Sequence, residues 1–169
     1  MRPILKFGGC ITALALIAAC QQAAQQAAAL EPDGNTACAL DGMILKDFAG
    51  PKAQILYAEG KPDFLCNVME LFSVSAMPEQ KRQIAAMYVQ DMGKADWDHP
   101  AANWIDAKAA LYVVGSRKPG SMGPTFGSFA NMQDAQDFVK REGGKIVRFD
   151  QVTPDMVNMD NSAAHDSKM

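Results

Sequence analysis

Residues 109–116 read AALYVVGS and residues 53–58 read AQILYA. Both are short apolar runs. The earlier one is bounded by Gly50-Pro51 and Gly60-Lys61-Pro62, as a strand should be. The segments after each run decide the fold. After AQILYA comes DFLCN (63–67), a short strand or bend. Next is NVMELFSVSAM (67–77), with Val68, Leu71, Phe72 and Ser75 at helical spacing before Pro78 stops the helix. IAAMYVQD (84–91) is then a third strand. After AALYVVGS comes TFGSF (125–129), a strand, followed by NMQDAQDFVKREGG (131–144). Here Asn131 is an N-cap, Met132, Ala135, Phe138 and Val139 are periodic, and Gly143-Gly144 ends the helix. KIVRFDQV (145–152) closes the series as a strand. The order strand–strand–helix–strand thus occurs twice, roughly 55 residues apart, which is the pattern of an internal duplication. The expected fold is α+β: two ββαβ modules, at about 37–95 and 105–153, each a small sheet with one helix packed on a face.

Between the two runs lies QDMGKADWDHPAANWIDA (90–107), too polar for a strand and too punctuated for a helix. Trp97 and Trp104 favour a connector pinned to the domain over a free surface loop.

Outward from this domain the composition changes. Residues 1–19 carry Arg2 and Lys6 followed by an apolar run from Ile11 to Ala19, a signal peptide too short to span a bilayer. Ile17-Ala18-Ala19-Cys20 has the small-residue spacing of a bacterial lipoprotein box, with Cys20 as the lipidated residue. Gln21 follows, with no Asp there to favour inner-membrane retention. The expected location is the periplasm, anchored by lipid to the outer membrane. Residues 20–36, rich in Gln and Ala, read as a flexible tether, and residues 158–169 as a disordered tail. The domain between them, 37–157, is of ordinary size for one core. A net charge of −3 with acids and bases scattered leaves no footprint for nucleic acid.

The chemistry rests on few residues. With Cys10 in the signal peptide and Cys20 acylated, the domain keeps Cys38 and Cys66. They could form a disulfide, which the periplasm favours; against that, Cys66 sits among apolar residues, where a free Cys behaves as a small hydrophobe. A nucleophilic Cys needs a base, and only His99 and His165 exist, the latter in the tail. Neither a G-x-S-x-G nor a Ser/His/Asp pattern is present, and zinc would want paired Cys or His. Copper(I) asks for less, since a thiolate with thioethers suffices. Eleven Met make thioethers plentiful, although core filling is their usual role. Cys38 and Met43 flank ALDG, where Gly42 permits a turn that can bring both sulfurs inward. Met122, on the loop GSMGP, is a further thioether candidate, and Met92, in DMG, is either another or core filler.

The segments CALDGM (38–43), GPKAQI (50–55), YVQDMG (88–93), NWIDAKAALYVVGS (103–116), MGP (122–124) and FVKREGGKIVRF (138–149), in this order behind a lipobox, resemble the NosL family. The similarity spans Cys38 to about Val152. It implies a non-enzymatic periplasmic copper(I) chaperone, and a fold of two ββαβ modules related to those of organomercurial lyase. It also implies partners: nitrous-oxide reductase, whose copper centres are assembled with it, and the membrane-bound maturation machinery. By position, Cys38, Met43 and Met122 match the family's copper site. A common family form has a second Cys two residues before the motif Met, where this chain has Asp41. The departure shifts weight to Cys38 with thioethers, helped by Asp41, Cys66, Met92 or His99. The competing expectation is a thiol-dependent periplasmic enzyme or redox protein using Cys66 or Cys38.

Overall fold

The computed structural model describes residues 27–158. The signal peptide, Cys20 and the tail beyond Asn158 lie outside them. Among the described residues the fold is α+β, with two main antiparallel sheets and two longer helices. The first sheet has β1 (Ala53–Tyr57) in the middle of β2 (Asp63–Leu65) and β3 (Ile84–Gln90), with β4 (Trp104–Asp106) outside β3. The second has β5 (Leu111–Val114) between β8 (Gly127–Phe129) and β9 (Lys145–Arg148). In each sheet the first ββαβ strand is flanked by the other two, and the strand after the helix runs along its far side.

Local chemistry starts and stops the helices. α1 (Val68–Ala76) begins at Asn67, whose side chain accepts from the Met69 N–H while the Glu70 side chain returns to the Asn67 N–H, a reciprocal capping box. α1 buries Val68, Met69, Leu71, Phe72 and Val74, so it is covered on most sides. α2 (Met132–Glu142) is capped by Asn131 and ends at Gly143, whose φ of 75° favours a residue without Cβ. The second sheet divides the core. On one side Tyr112, Val114 and Val147 join β1, β3 and α1 in the main cluster. On the other Val113 and Phe129 pack with Ala135 and Phe138 of α2. Phe72 of α1 meets Tyr112 edge-on at 5.0 Å and also touches Phe126 and Phe149, so α1 cements the two sheets together.

Three features differ from expectation. Within the polar connector, Trp104–Asp106 pairs with β3 as β4. This is an edge strand whose residues are all half-buried, and edges accept polar residues that central strands exclude. The connector is pinned by its tryptophans: Trp97 stacks on Phe138 at 5.2 Å, and the Trp104 indole donates to Glu31. Second, β6 (Pro119–Gly120) and β7 (Gly123–Pro124) form a small hairpin between β5 and β8, with Ser121 and Met122 at its turn. Third, residues 27–36 are not free tether. Leu30 exchanges two hydrogen bonds with the buried Gln54 side chain, Glu31 accepts from Trp104 and the Ala102 N–H, and Tyr88 donates to the Ala27 carbonyl. The segment is strapped across β1, β3 and β4, satisfying a Gln that would otherwise be buried without partners.

Candidate metal centre

The segment Cys38–Met43 closes as a tight loop. The Cys38 N–H donates to the Met43 carbonyl at 2.8 Å, the Gly42 N–H to the Cys38 carbonyl at 3.0 Å, and Ala37 bridges Ile44. Gly42 has a φ of 77°, the left-handed turn that its position demands. The Ala39 N–H donates to the Phe64 carbonyl, which docks the loop on β2 beside Cys66. Cys66 follows β2 directly and precedes the N-cap of α1.

Both Cys38 and Cys66 are free thiols, 3% and 1% exposed, packed with Leu45 and Phe64. Glu70 stands between them: Oε2 is 3.5 Å from Cys38 Sγ and Oε1 is 3.4 Å from Cys66 Sγ. Asp41 Oδ2 lies 3.7 Å from Cys66 Sγ. One ligand atom from each of Cys38, Asp41, Cys66 and Glu70 falls within 4.8 Å of the others. Two sulfurs and two oxygens converge.

Burial dominates the titration of both thiols and raises each above its ordinary value. At Cys38 the backbone amides of Leu40, Asp41 and Cys66 oppose that rise, while the Glu70 charge adds to it. At Cys66 the opposing group is the Ser121 hydroxyl, and the charges of Glu70 and Cys38 add to the rise. The Ser121 hydroxyl oxygen is buried beside the Cys66 sulfur. The β6–β7 turn therefore reaches the thiols. It is held there by Asn67, whose amide donates to the Pro124 carbonyl at 3.2 Å and whose oxygen accepts from the Thr125 hydroxyl at 2.8 Å.

This donor set suits a soft ion. Paired thiolates can hold copper(I) in low coordination, and carboxylates beside them are poor ligands for it but good hydrogen-bond partners for the thiols. Beneath the site, Lys52 is 2% exposed and spends its ammonium on the carbonyls of Phe48, Ala49 and Gly50, at 2.8, 3.0 and 2.9 Å.

The sequence profile of NosL matches residues 29–157. The chain belongs to the NosL family. It is 36% identical over 129 residues to the copper-binding lipoprotein NosL of Stutzerimonas stutzeri, covering 76% of this chain and 67% of that protein. To the copper-binding lipoprotein NosL of Achromobacter cycloclastes it is 39% identical over 166 residues, 93% of this chain and 84% of the relative. The crystal structure of the copper chaperone NosL from Shewanella denitrificans superposes with a TM-score of 0.69 at 38% identity, spanning 76% of this chain and 96% of the other.

Within this NosL family member the expected ligands separate. Cys38, Cys66 and Asp41 come together. Met43 closes the Cys38 loop through its backbone and is half-buried. Met122 sits at the hairpin turn next to Ser121 and is 62% exposed. Met92 is not brought to the cluster: it packs against the core around Phe129 and Phe138, and its N–H donates to the Ser128 carbonyl. His99 is exposed in the connector, its N–H bonded to Asp96, and is not among the converging groups. Sequence reasoning missed Glu70, Ser121 and Lys52. Glu70 had a signal, since Asn67 followed three residues later by Glu is a capping box, and the box turns the carboxylate back toward residue 66. The other two depend on strand pairing and hairpin placement, for which no local pattern exists.

Proposed function

We propose that this NosL family member is a copper(I) carrier of the periplasm, with no catalytic step of its own. It holds the ion between Cys38 and Cys66 and delivers it for assembly of the copper centres of nitrous-oxide reductase. The observation that carries the reading is the pair of buried free thiols converging on one carboxylate in a chain whose relatives are copper-binding lipoproteins. Met43 and Met122 supply thioethers at the rim, where an ion passing to an acceptor can be held by neutral sulfur. Asp41 and Glu70 orient the thiols. Lipidation at Cys20, with Gln21 after it, fits retention at the outer membrane. Nitrous-oxide reductase and its membrane-bound maturation machinery are the proposed partners.

A thiol enzyme fits less well. A nucleophilic Cys needs a lowered pKa and an approach path, whereas burial raises both thiols here and His99 stands away from the cluster. The test is copper(I) titration of the lipid-free chain against a strong chelator, with X-ray absorption on the loaded protein. One equivalent in a coordination shell dominated by sulfur is expected. A shell of nitrogen and oxygen, or no retention, overturns the assignment.

A further inference from the structure

A buried lysine without a carboxylate partner is costly, because its ammonium gives up water for neutral carbonyls. Lys52 is such a residue. Among the described residues the ion pairs join Arg82 to Asp63, Lys94 to Asp91 and Lys140 to Asp137, and none involves Lys52. Its place is set by the sheet. In the antiparallel register Ala53 pairs with Leu65 and Gln54 with Phe64, so one step further Lys52 stands across from Cys66. The backbone of Lys52 is locked as well, its N–H donating to Gln90 Oε1 at 3.0 Å and its carbonyl accepting from the Gln90 N–H at 3.2 Å. Its ammonium lies within electrostatic reach of Cys66, Glu70 and Cys38. Those are three of the four converging groups of the candidate metal centre.

We propose that Lys52 is the fixed counter-charge of the sulfur site, a positioning residue that lets two thiolates and the Glu70 carboxylate stay together when copper(I) is bound. The inference rests on the thiol-pair reading above and extends it to a residue that touches no metal. One monovalent ion cannot neutralise two thiolates and two carboxylates, and the excess negative charge lies in a region of low dielectric. A buried ammonium is the compensating charge within the fold. Although burial lowers Lys52 to about 8, it remains charged at neutral pH. The three carbonyls keep its charge in place so that it neither swings to solvent nor competes for the metal.

The test starts with the parent chain, lipid-free, with lysines labelled at 15Nζ, at neutral pH. Adding one equivalent of copper(I) should shift the protected Lys52 resonance, assigned by its loss in Lys52→Met, while exposed lysines stay fixed. Lys52→Met should lower copper(I) affinity by about tenfold or more in chelator competition, with a melting temperature of the apo protein no lower than that of the parent. Lys52→Arg, where it folds, should keep most of the affinity. Unchanged affinity in a folded Lys52→Met overturns the proposal, as does a parent Lys52 resonance that ignores copper, whatever the variants do. Failure of the parent to bind copper(I), or binding indifferent to loss of both thiols, would instead sink the thiol-pair assignment itself.

Discussion

The Thr125 hydroxyl donates to the side-chain oxygen of Asn67 at 2.8 Å, in a buried contact between residues 58 positions apart in sequence. The same oxygen caps α1 through the Met69 N–H. One atom thus starts the helix that carries Glu70 and fastens the hairpin that carries Ser121 and Met122. Asn67→Ala should cost about 1 kcal/mol for the cap and a further ~1–3 kcal/mol for the stranded Thr125 hydroxyl. Urea unfolding measures the sum. A loss below about 1 kcal/mol would mean that water replaces the contact.

Replacing Cys66 by Ser should weaken copper(I) retention as severely as replacing Cys38 by Ser. A hydroxyl is a poor ligand for a soft ion, and the two sulfurs face one carboxylate. Competition with a copper(I) chelator compares the two variants directly. If only Cys38→Ser loses the ion, Cys66 is a buried core thiol.

Met122→Leu separates ligation from packing. The side chain is exposed, so the swap should change stability by less than about 0.5 kcal/mol. A fall in copper(I) affinity without a change in unfolding midpoint is expected, because only the sulfur is removed. Equal affinity would leave Met122 with no part in binding.

The pH dependence of the copper-free protein has a sign that the buried groups fix. Lys52 sits at about 8 when folded and at its ordinary 10.5 when unfolded, so from about pH 8 upward the unfolded chain holds the extra proton and stability rises. Both thiols are raised from 9.0, so above about pH 9 the unfolded chain sheds protons that the folded one keeps, and stability falls. Thermal unfolding at about pH 7.5, 8.5 and 9.5 should show the first trend in the parent and not in Lys52→Met. The second should be blunted in Cys38→Ser and Cys66→Ser. Copper(I) affinity should climb with pH, since binding releases thiol protons.

A chain beginning at Pro32 should still bind copper(I), because the strap contributes none of the converging groups. It should be less stable than one beginning at Ala27 by about 1–3 kcal/mol, the cost of leaving the Gln54 amide unsatisfied. Equal unfolding midpoints would show that solvent satisfies Gln54 once the strap is gone.

The two sheets and both helices were legible because Asn67, Asn131, Pro78 and Gly143 punctuate strong periodicity. β4 was not, since an edge strand of Trp, Ile and Asp between turn residues carries no alternation that separates it from a loop. The site was half legible. Cys38, Cys66 and Asp41 could be named from residue type, and the turn at Gly42 from its glycine. Met92 had two open readings, ligand or core filler, and the fold takes the second by turning its polar stretch under α2, where a flexible thioether fills space. Lys52 carries no signal in the sequence, and only the pairing of β1 with β2 places it opposite Cys66.

The strap on the first sheet also sets a leash. If Cys20 is held in a bilayer, the chain from there to Ala27, the first described residue bound to the folded body, can span at most roughly 25 Å even fully stretched. That is less than twice the radius of gyration expected for a domain of this length, roughly 14 Å, so the body can tilt and roll against the lipid surface but cannot wander far from it. An acceptor reaching the thiol pocket would have to come to the membrane, and lengthening the stretch between Gln21 and Gln26 would change which acceptors are within range.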